Sequence, residues 1–149
     1  MGPIGPMGPQ GPEGPSGILN VYSAFQPVGP KPNGTPTLPL FAATPVTVSI
    51  GASSQRVFVQ STRMFVANNA GTLDVMLCYR SALDVYPRAT EIVMRGIQAS
   101  AAARIPVSLS GIVSDLPAGG YYIGMCAATT TPASWDSGGE ANTTALLLR

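Results

Sequence analysis

The chain has 149 residues, of which 10% are charged and 45% are hydrophobic, and its net charge is +1. An average soluble protein has about 25% charged residues, so we expect part of this surface to face other subunits. The basic residues form no run that could follow a phosphate backbone, which argues against a nucleic-acid partner. No stretch has the roughly 20 apolar residues of a membrane span. Met1 runs directly into the glycine repeat, so we expect no signal peptide in the sequence as given; either a signal was removed with an N-terminal part, or the protein leaves its cell by another route.

A glycine occupies every third position of residues 2–17, and a proline follows each of the first five glycines. Three extended left-handed chains meet at an axis with no room for a Cβ atom, and proline fixes the φ angle that they need. Strict periodicity favours a collagen triple helix over a flexible Pro/Gly linker. Residues 1–17 therefore predict a homotrimer, with these glycines at its axis: Gly2, Gly5, Gly8, Gly11, Gly14 and Gly17.

This collagen-like stub is short. At about 3.1 Å per residue it would form a rod of roughly 50 Å. No proline occupies the third place of a triplet, where hydroxylation stabilises collagens. Because aligning three chains costs entropy, we expect the C-terminal part of the chain to hold them together.

Residues 18–45 lead from the stub into a head domain. Ile18 to Phe25 is a short apolar stretch, and prolines then recur up to Pro45. Since proline cannot sit in a central strand, this segment predicts an edge strand followed by a long loop.

Residues 46–149 show β patterning, with short apolar runs separated by Gly, Asn and Pro turns. Leu73, Val75 and Leu77 occupy alternate positions, as expected for a strand with one inward face, and the less apolar residues Asp74, Met76, Cys78 and Arg80 occupy the other face. For residues 98–104 the sequence is compatible with either one helical turn or a loop. The candidate strands are Val46–Ile50, Arg56–Ala67, Thr72–Arg80, Thr90–Ile97, Ile105–Val113, Gly120–Ala128 and Asn142–Leu148.

These strands predict an all-β, antiparallel sandwich. Sandwiches of this size are commonly jelly rolls or immunoglobulin-like. Immunoglobulin domains usually place a tryptophan between two cysteines, whereas Trp135 follows both Cys78 and Cys126. We therefore predict a homotrimeric jelly roll in residues 46–149.

The closing strand has apolar residues on both faces. Leu146, Leu147 and Leu148 are consecutive, so one face can meet the core of the domain and the other can meet neighbouring chains. We predict that these three leucines lie at the trimer axis.

The two cysteines, Cys78 and Cys126, both fall in the middle of candidate strands, on the less apolar face. They are either two buried thiols or one disulfide. A bridge closing this long segment would stabilise the domain by roughly 4 kcal/mol in the chain-entropy model. We favour the bridge because the setting expected for the protein is oxidising.

The glycine-containing loop before the closing strand offers oxygen ligands from Asp136, Glu140 and Asn142, of the kind that calcium takes. Asp and Asn also serve as ordinary turn residues, so we favour a solvated polar hairpin over a calcium site. Trp135, in the same polar loop, is the candidate for an exposed ring that stacks on a sugar.

No residue pattern in the sequence indicates an active site. The chain has no histidine, and its seven carboxylates show no spacing that suggests a facing acid and base pair. Its serines lack the Gly-x-Ser-x-Gly elbow of hydrolases. We expect no enzymatic activity.

Residues 114–126, then Trp135 and the closing strand 142–149, resemble the C-terminal domains of bacterial and phage collagen-like proteins. Those domains are similar to the trimeric jelly roll of the complement-type and tumour-necrosis-factor superfamily. The resemblance spans residues 40–149 and is strongest near the C-terminus. It implies a domain that trimerises and registers the stalk and displays a head for adhesion or ligand binding.

We therefore expect a non-enzymatic structural and adhesive protein, extracellular or displayed on a cell, spore or phage particle. Its partners would be its own copies and a surface glycan or host receptor. A soluble carbohydrate-binding or effector module, with the collagen-like run as a spacer, is the alternative.

Overall fold

The computed structural model describes residues 17–149. The predicted axial glycines from Gly2 to Gly14 lie outside these residues. The described chain is built of strands and one 3₁₀ turn, Pro132–Ser134. In chain order the strands are β1 (Ile18–Gln26), β2 (Leu40–Phe41), β3 (Val46–Ile50), β4 (Arg56–Ala67), β5 (Gly71–Ser81), β6 (Arg88–Ala99), β7 (Arg104–Val113), β8 (Gly119–Ala128), β9 (Trp135–Asp136) and β10 (Ala141–Leu148).

The strands form two antiparallel sheets. The first has the order β1-β10-β4-β7, and β9 also pairs with β4. The second has the order β2-β8-β5-β6, and β3 also pairs with β8. The chain changes sheets between β1 and β2, between β3 and β4, between β4 and β5, on either side of β7, and between β8 and β9. This arrangement is a jelly-roll sandwich, so the predicted fold class is confirmed.

The core lies between the two sheets, where alternate side chains of each strand meet. The predicted inward positions Leu73, Val75 and Leu77 of β5 are buried there, as are Val107 and Leu109 of β7. A side chain of this size contributes about 1.5–3 kcal/mol when fully buried. The core consequently accounts for much of the stability of the domain.

The sandwich has two ends, which we call the stalk end and the distal end. At the stalk end, β1 begins and β10 finishes, and the backbone N–H of Arg149 donates to the carbonyl of Gly17 at 2.9 Å. The loops 51–55, 82–87 and 114–118 share this end, while the loops 27–39, 100–103 and 129–140 lie at the distal end. Gly17, the last glycine of the Gly-X-Y period, therefore lies at one defined end of the head.

The segment 98–104 is a loop rather than a helical turn. Strand β6 continues to Ala99, and β7 begins at Arg104. Between them Ala102 has a φ of 59°, a value that no helix uses. Of the two alternatives left by the sequence, the structure therefore has the loop. No helix among residues 17–149 is long and apolar enough to cross a membrane.

Candidate functional site

The outward face of the first sheet carries apolar side chains in a row across all four main strands. Val21 of β1 is paired with Leu146 of β10, Leu146 with Phe58 of β4, and Phe58 with Ile112 of β7. Val21 and Ile112 are 58% and 49% exposed, and the other two are half-buried. We call these four residues the apolar row.

A further apolar group borders this row at the stalk end. Leu148 pairs with Ile18 on one side and with Arg56 on the other. Ile18 is 48% exposed. The outward apolar surface is thus continuous from the middle of the sheet to the point where the collagen-like triplets end.

The leucines predicted at the trimer axis do not share one face. Leu146 and Leu148 point outward and are half-buried, whereas Leu147 is 6% exposed and belongs to the core between the sheets. The side-chain period of a strand is two, so three consecutive residues cannot face the same way. Leu147 therefore lies on the face of β10 that meets the core, so its predicted place at the trimer axis was wrong, whereas Leu146 and Leu148 lie on the opposite face.

The outward contacts of Val21, Phe58 and Ile112 were not predicted from the sequence. A signal for Phe58 existed in β4, where Phe58, Met64 and Val66 interrupt what should be a polar face. Only the register between strands shows that Phe58 joins residues from β1, β7 and β10. That register depends on contacts far apart in the chain.

Polar residues replace the apolar row towards the distal end of the same face. Ser23, Thr144, Gln60 and Ser110 form the next outward row. Beyond it lies a groove of about 440 Å³ that crosses the sheet. Its lining includes Phe25, Thr62, Met64, Pro106, Ser108, Glu140 and Asn142.

The residues considered for calcium do not converge on one point. Glu140 and Asn142 line the groove, but the carboxylate of Asp136 accepts a hydrogen bond from Asn68 at 3.3 Å. This bond and the Ser137 backbone N–H lower the pKa of Asp136. Residues 17–149 contain no cluster of three His, Cys, Asp or Glu side chains that could hold a metal. Asp136 is thus engaged by Asn68 and Ser137, whereas Glu140 and Asn142 line the groove.

Trp135 is a core residue, not an exposed stacking platform. Its side chain is 0% exposed and packs edge-on against Phe65, with the ring centroids 6.3 Å apart. The residue opens β9, and this short strand pairs with β4, which draws the indole between the sheets. The prediction that Trp135 is available to a ligand was wrong, and Phe25, 62% exposed, is the ring that faces solvent beside the groove.

A buried arginine secures the distal end. Arg63 of β4 points into the sandwich, is 2% exposed, and donates to the carbonyls of Ala42 and Pro30. Its guanidinium lies 4.5 Å from the ring centroid of Phe65, and Gly29 packs against it so closely that a Cβ would be 2.6 Å from Cζ. Burial lowers the pKa of Arg63 to about 10, so the side chain stays charged at neutral pH. Arg63 ties the proline-rich loop to the first sheet.

The outward face of the second sheet is covered by its own chain. Cys78 of β5 and Cys126 of β8 form a disulfide there, with Cα atoms 5.8 Å apart on adjacent strands. Both cysteines are 0% exposed, and Phe41 and Val93 pack against their cluster. The bridge is sealed from solvent although it lies on an outward face.

No protein-family model and no curated protein matches the chain. Among solved structures, the globular domain of zebrafish complement 1qA protein is 12% identical, with 87% of this chain and 96% of that chain covered, at a TM-score of 0.49. The VP2 subviral particle of infectious bursal disease virus is 10% identical over 87% of this chain and 32% of that chain, at a TM-score of 0.49. Eiger TNF from S. frugiperda is 12% identical over 86% of each chain, at a TM-score of 0.40. The assignment as a jelly roll comes from this chain's own strand order.

Proposed function

We propose that the chain is a non-enzymatic structural module of the bacterial or phage collagen-like type. Its jelly roll trimerises through the outward face of the first sheet, registers the collagen-like stalk, and displays a binding head. The apolar row at the stalk end of that face is the observation that carries this proposal. The protein would act outside the cell or on the surface of a cell, spore or phage particle.

Burying the apolar row supplies the driving force for association. Each Val, Leu, Ile or Phe side chain that goes from half-exposed to buried contributes on the order of 1 kcal/mol, and the gain is repeated in every copy. Exposed apolar surface that is continuous across a whole sheet is typical of an interface. The row therefore favours association, while the Gly-X-Y triplets are what specify three chains.

The edges of the first sheet differ in a way that fits a neighbour on the β1 side. Strand β1 contains no charged residue and no proline. Strand β7, at the opposite edge of the first sheet, carries Arg104 and Pro106. Charges and prolines protect exposed edges from pairing with other chains. The stalk-end part of the unprotected β1 edge, beside the apolar row, is therefore the part expected to be covered in the assembly.

The position of the row also fits the stalk. Gly17, the last glycine of the triplets, directly precedes β1, whose Val21 belongs to the row. If three rows meet, the three chains leave the head near one another, as a triple helix requires. The head would then set the register of the stalk.

Light scattering of the full chain and of residues 18–149 tests the proposal. Both should have three times the monomer mass of 15.3 kDa, less the deleted segment in the shorter version. Phe58→Asp should reduce both to monomers, because three carboxylates would be desolvated close together. The control is Thr47→Asp on an exposed position of β3, which should stay trimeric. A monomeric mass for the unmodified full chain would refute the proposal and favour a soluble module with a collagen-like spacer.

A further inference from the structure

We propose that the distal groove on the first sheet binds a short, neutral oligosaccharide. The groove lies on the head whose display role is proposed above, and the inference rests on that role. It is formed within one chain, so it does not require the assembly itself. Its volume of about 440 Å³ is within the range of small-molecule sites.

The groove is separate from the apolar row. Phe25, Asn142, Thr62 and Ser108 lie side by side on the four strands, and each is four residues from its counterpart in the row. Four residues of a strand span about 14 Å. Association through the apolar row therefore leaves room for the groove to stay open.

The floor of the groove offers polar groups that the protein itself does not use. Among the described residues, the side chains of Thr62, Ser108 and Asn142 have no hydrogen-bond partner. On the inward side of the same strands, Ser61 and Thr143 bond to each other at 2.8 Å. Burying the outward hydroxyl and amide groups against a dry protein surface would cost about 1–3 kcal/mol each. A ligand rich in hydroxyl groups satisfies them instead.

The walls of the groove are apolar. Phe25 stands at the β1 edge and is 62% exposed, and Pro106 lies on β7 at the other side. Three strand spacings separate these edges by about 14 Å. Aromatic rings present an apolar face with a negative potential, which suits the C–H face of a pyranose ring. The exposed ring can pack on the C–H face of a sugar, while the hydroxyl and amide groups of the floor can bond to its hydroxyl groups.

The charge of the groove favours a neutral ligand. Glu140 is its single carboxylate, and Arg104 lies in the adjoining recess with Glu140. Arg63 also borders the groove, but its guanidinium is buried and donates to the carbonyls of Ala42 and Pro30, so it is not available to an anion. A phosphate or sulfate would have no free cation on the groove floor. The site therefore selects hydroxyl groups rather than charge.

A glycan array probed with the labelled full chain tests the inference, with titration of any neutral oligosaccharide that binds. Phe25→Ala and Asn142→Ala should each weaken binding about tenfold, the effect of about 1.4 kcal/mol. The matched controls are Tyr86→Ala, an exposed ring at the stalk end, and Thr47→Ala on the second sheet. Both controls should bind as the unmodified chain does.

Mass and melting temperature are measured for every variant, and Ser108→Ala replaces any groove variant that does not fold. Binding that is lost in the groove variants and kept in the controls supports the site. Binding to acidic glycans alone, binding that survives the groove variants, or no binding by a folded trimer overturns it while leaving the proposed assembly intact. A monomer that still binds neutral glycans through the groove would overturn the assembly and not the site.

Discussion

The outward faces of the two sheets differ in what covers their apolar side chains. On the second sheet, Met76, Cys78 and Cys126 are at most 5% exposed, because Phe41 and Val93 of the same chain pack against them. On the first sheet, Val21 and Ile112 remain about half exposed. The outward face of the second sheet is therefore covered around the disulfide by residues of the same chain. The outward face of the first sheet has no such cover within the described chain, and in the proposed assembly another copy would supply it.

The largest expected effect comes from placing aspartate on either side of β10. Leu147→Asp puts a carboxylate into the core and should unfold the domain, since large destabilisation follows from an unpaired buried charge. Leu146→Asp, one residue earlier, should leave the domain folded and make it monomeric. Circular dichroism and light scattering separate the two outcomes. A folded trimer with Leu146→Asp would show that the outward face of the first sheet is not the interface.

Removing the disulfide tests the outward face of the second sheet, which the chain itself covers. Replacing both Cys78 and Cys126 by alanine removes a cross-link that closes a long loop, and we expect a loss of about 4 kcal/mol in the chain-entropy model. The trimer mass should persist at temperatures where the domain is folded, because the bridge lies away from the proposed interface. Non-reducing peptide mapping checks the bond first. Two free thiols, or a bond between chains, would contradict the intrachain bridge.

A smaller effect is expected for the contact between Arg63 and the proline-rich loop at the distal end. Gly29→Ala places a Cβ 2.6 Å from Cζ of Arg63, so the loop or the arginine must shift. We expect the free energy of unfolding to fall by about 1–3 kcal/mol. Gly51→Ala, where the nearest atom to a new Cβ is 3.7 Å away, is the matched control and should be close to neutral. Equal melting temperatures for the two variants would show that Arg63 does not hold the loop.

The smallest expected effect is the contribution of Asp136 to acid stability. Its folded pKa is lowered from 3.8, chiefly by the hydrogen bond from Asn68. A lowered folded pKa means that the carboxylate stabilises the fold above pH 3.8, and that this contribution is lost as the pH falls below that value towards the folded pKa. Asp136→Asn should slightly flatten the acid limb of a stability curve. The side chain is exposed, so a steep change in that limb would show that another contact is involved.

Alternation and turn residues located the elements well because both are local properties. The sequence placed β3 and β4 with the bounds that the structure has, and the other long strands within two residues. The short strands β2 and β9 were missed, since two residues show no period. The burial of Trp135 was missed for the same reason. Its loop composition is polar, and only the pairing of β9 with β4 draws the indole inward.

The sequence by itself determined the Gly-X-Y period, the low charge, the β pattern and the apolar closing strand, because each is written in neighbouring residues. The tertiary structure alone decided that Leu146 faces outward with Val21, Phe58 and Ile112, while Leu147 faces the core. It also decided that Phe25 rather than Trp135 stands exposed beside a polar groove. The physical reason is register. A shift of one residue between paired strands would reverse every side chain, and register is set by contacts between residues far apart in the chain.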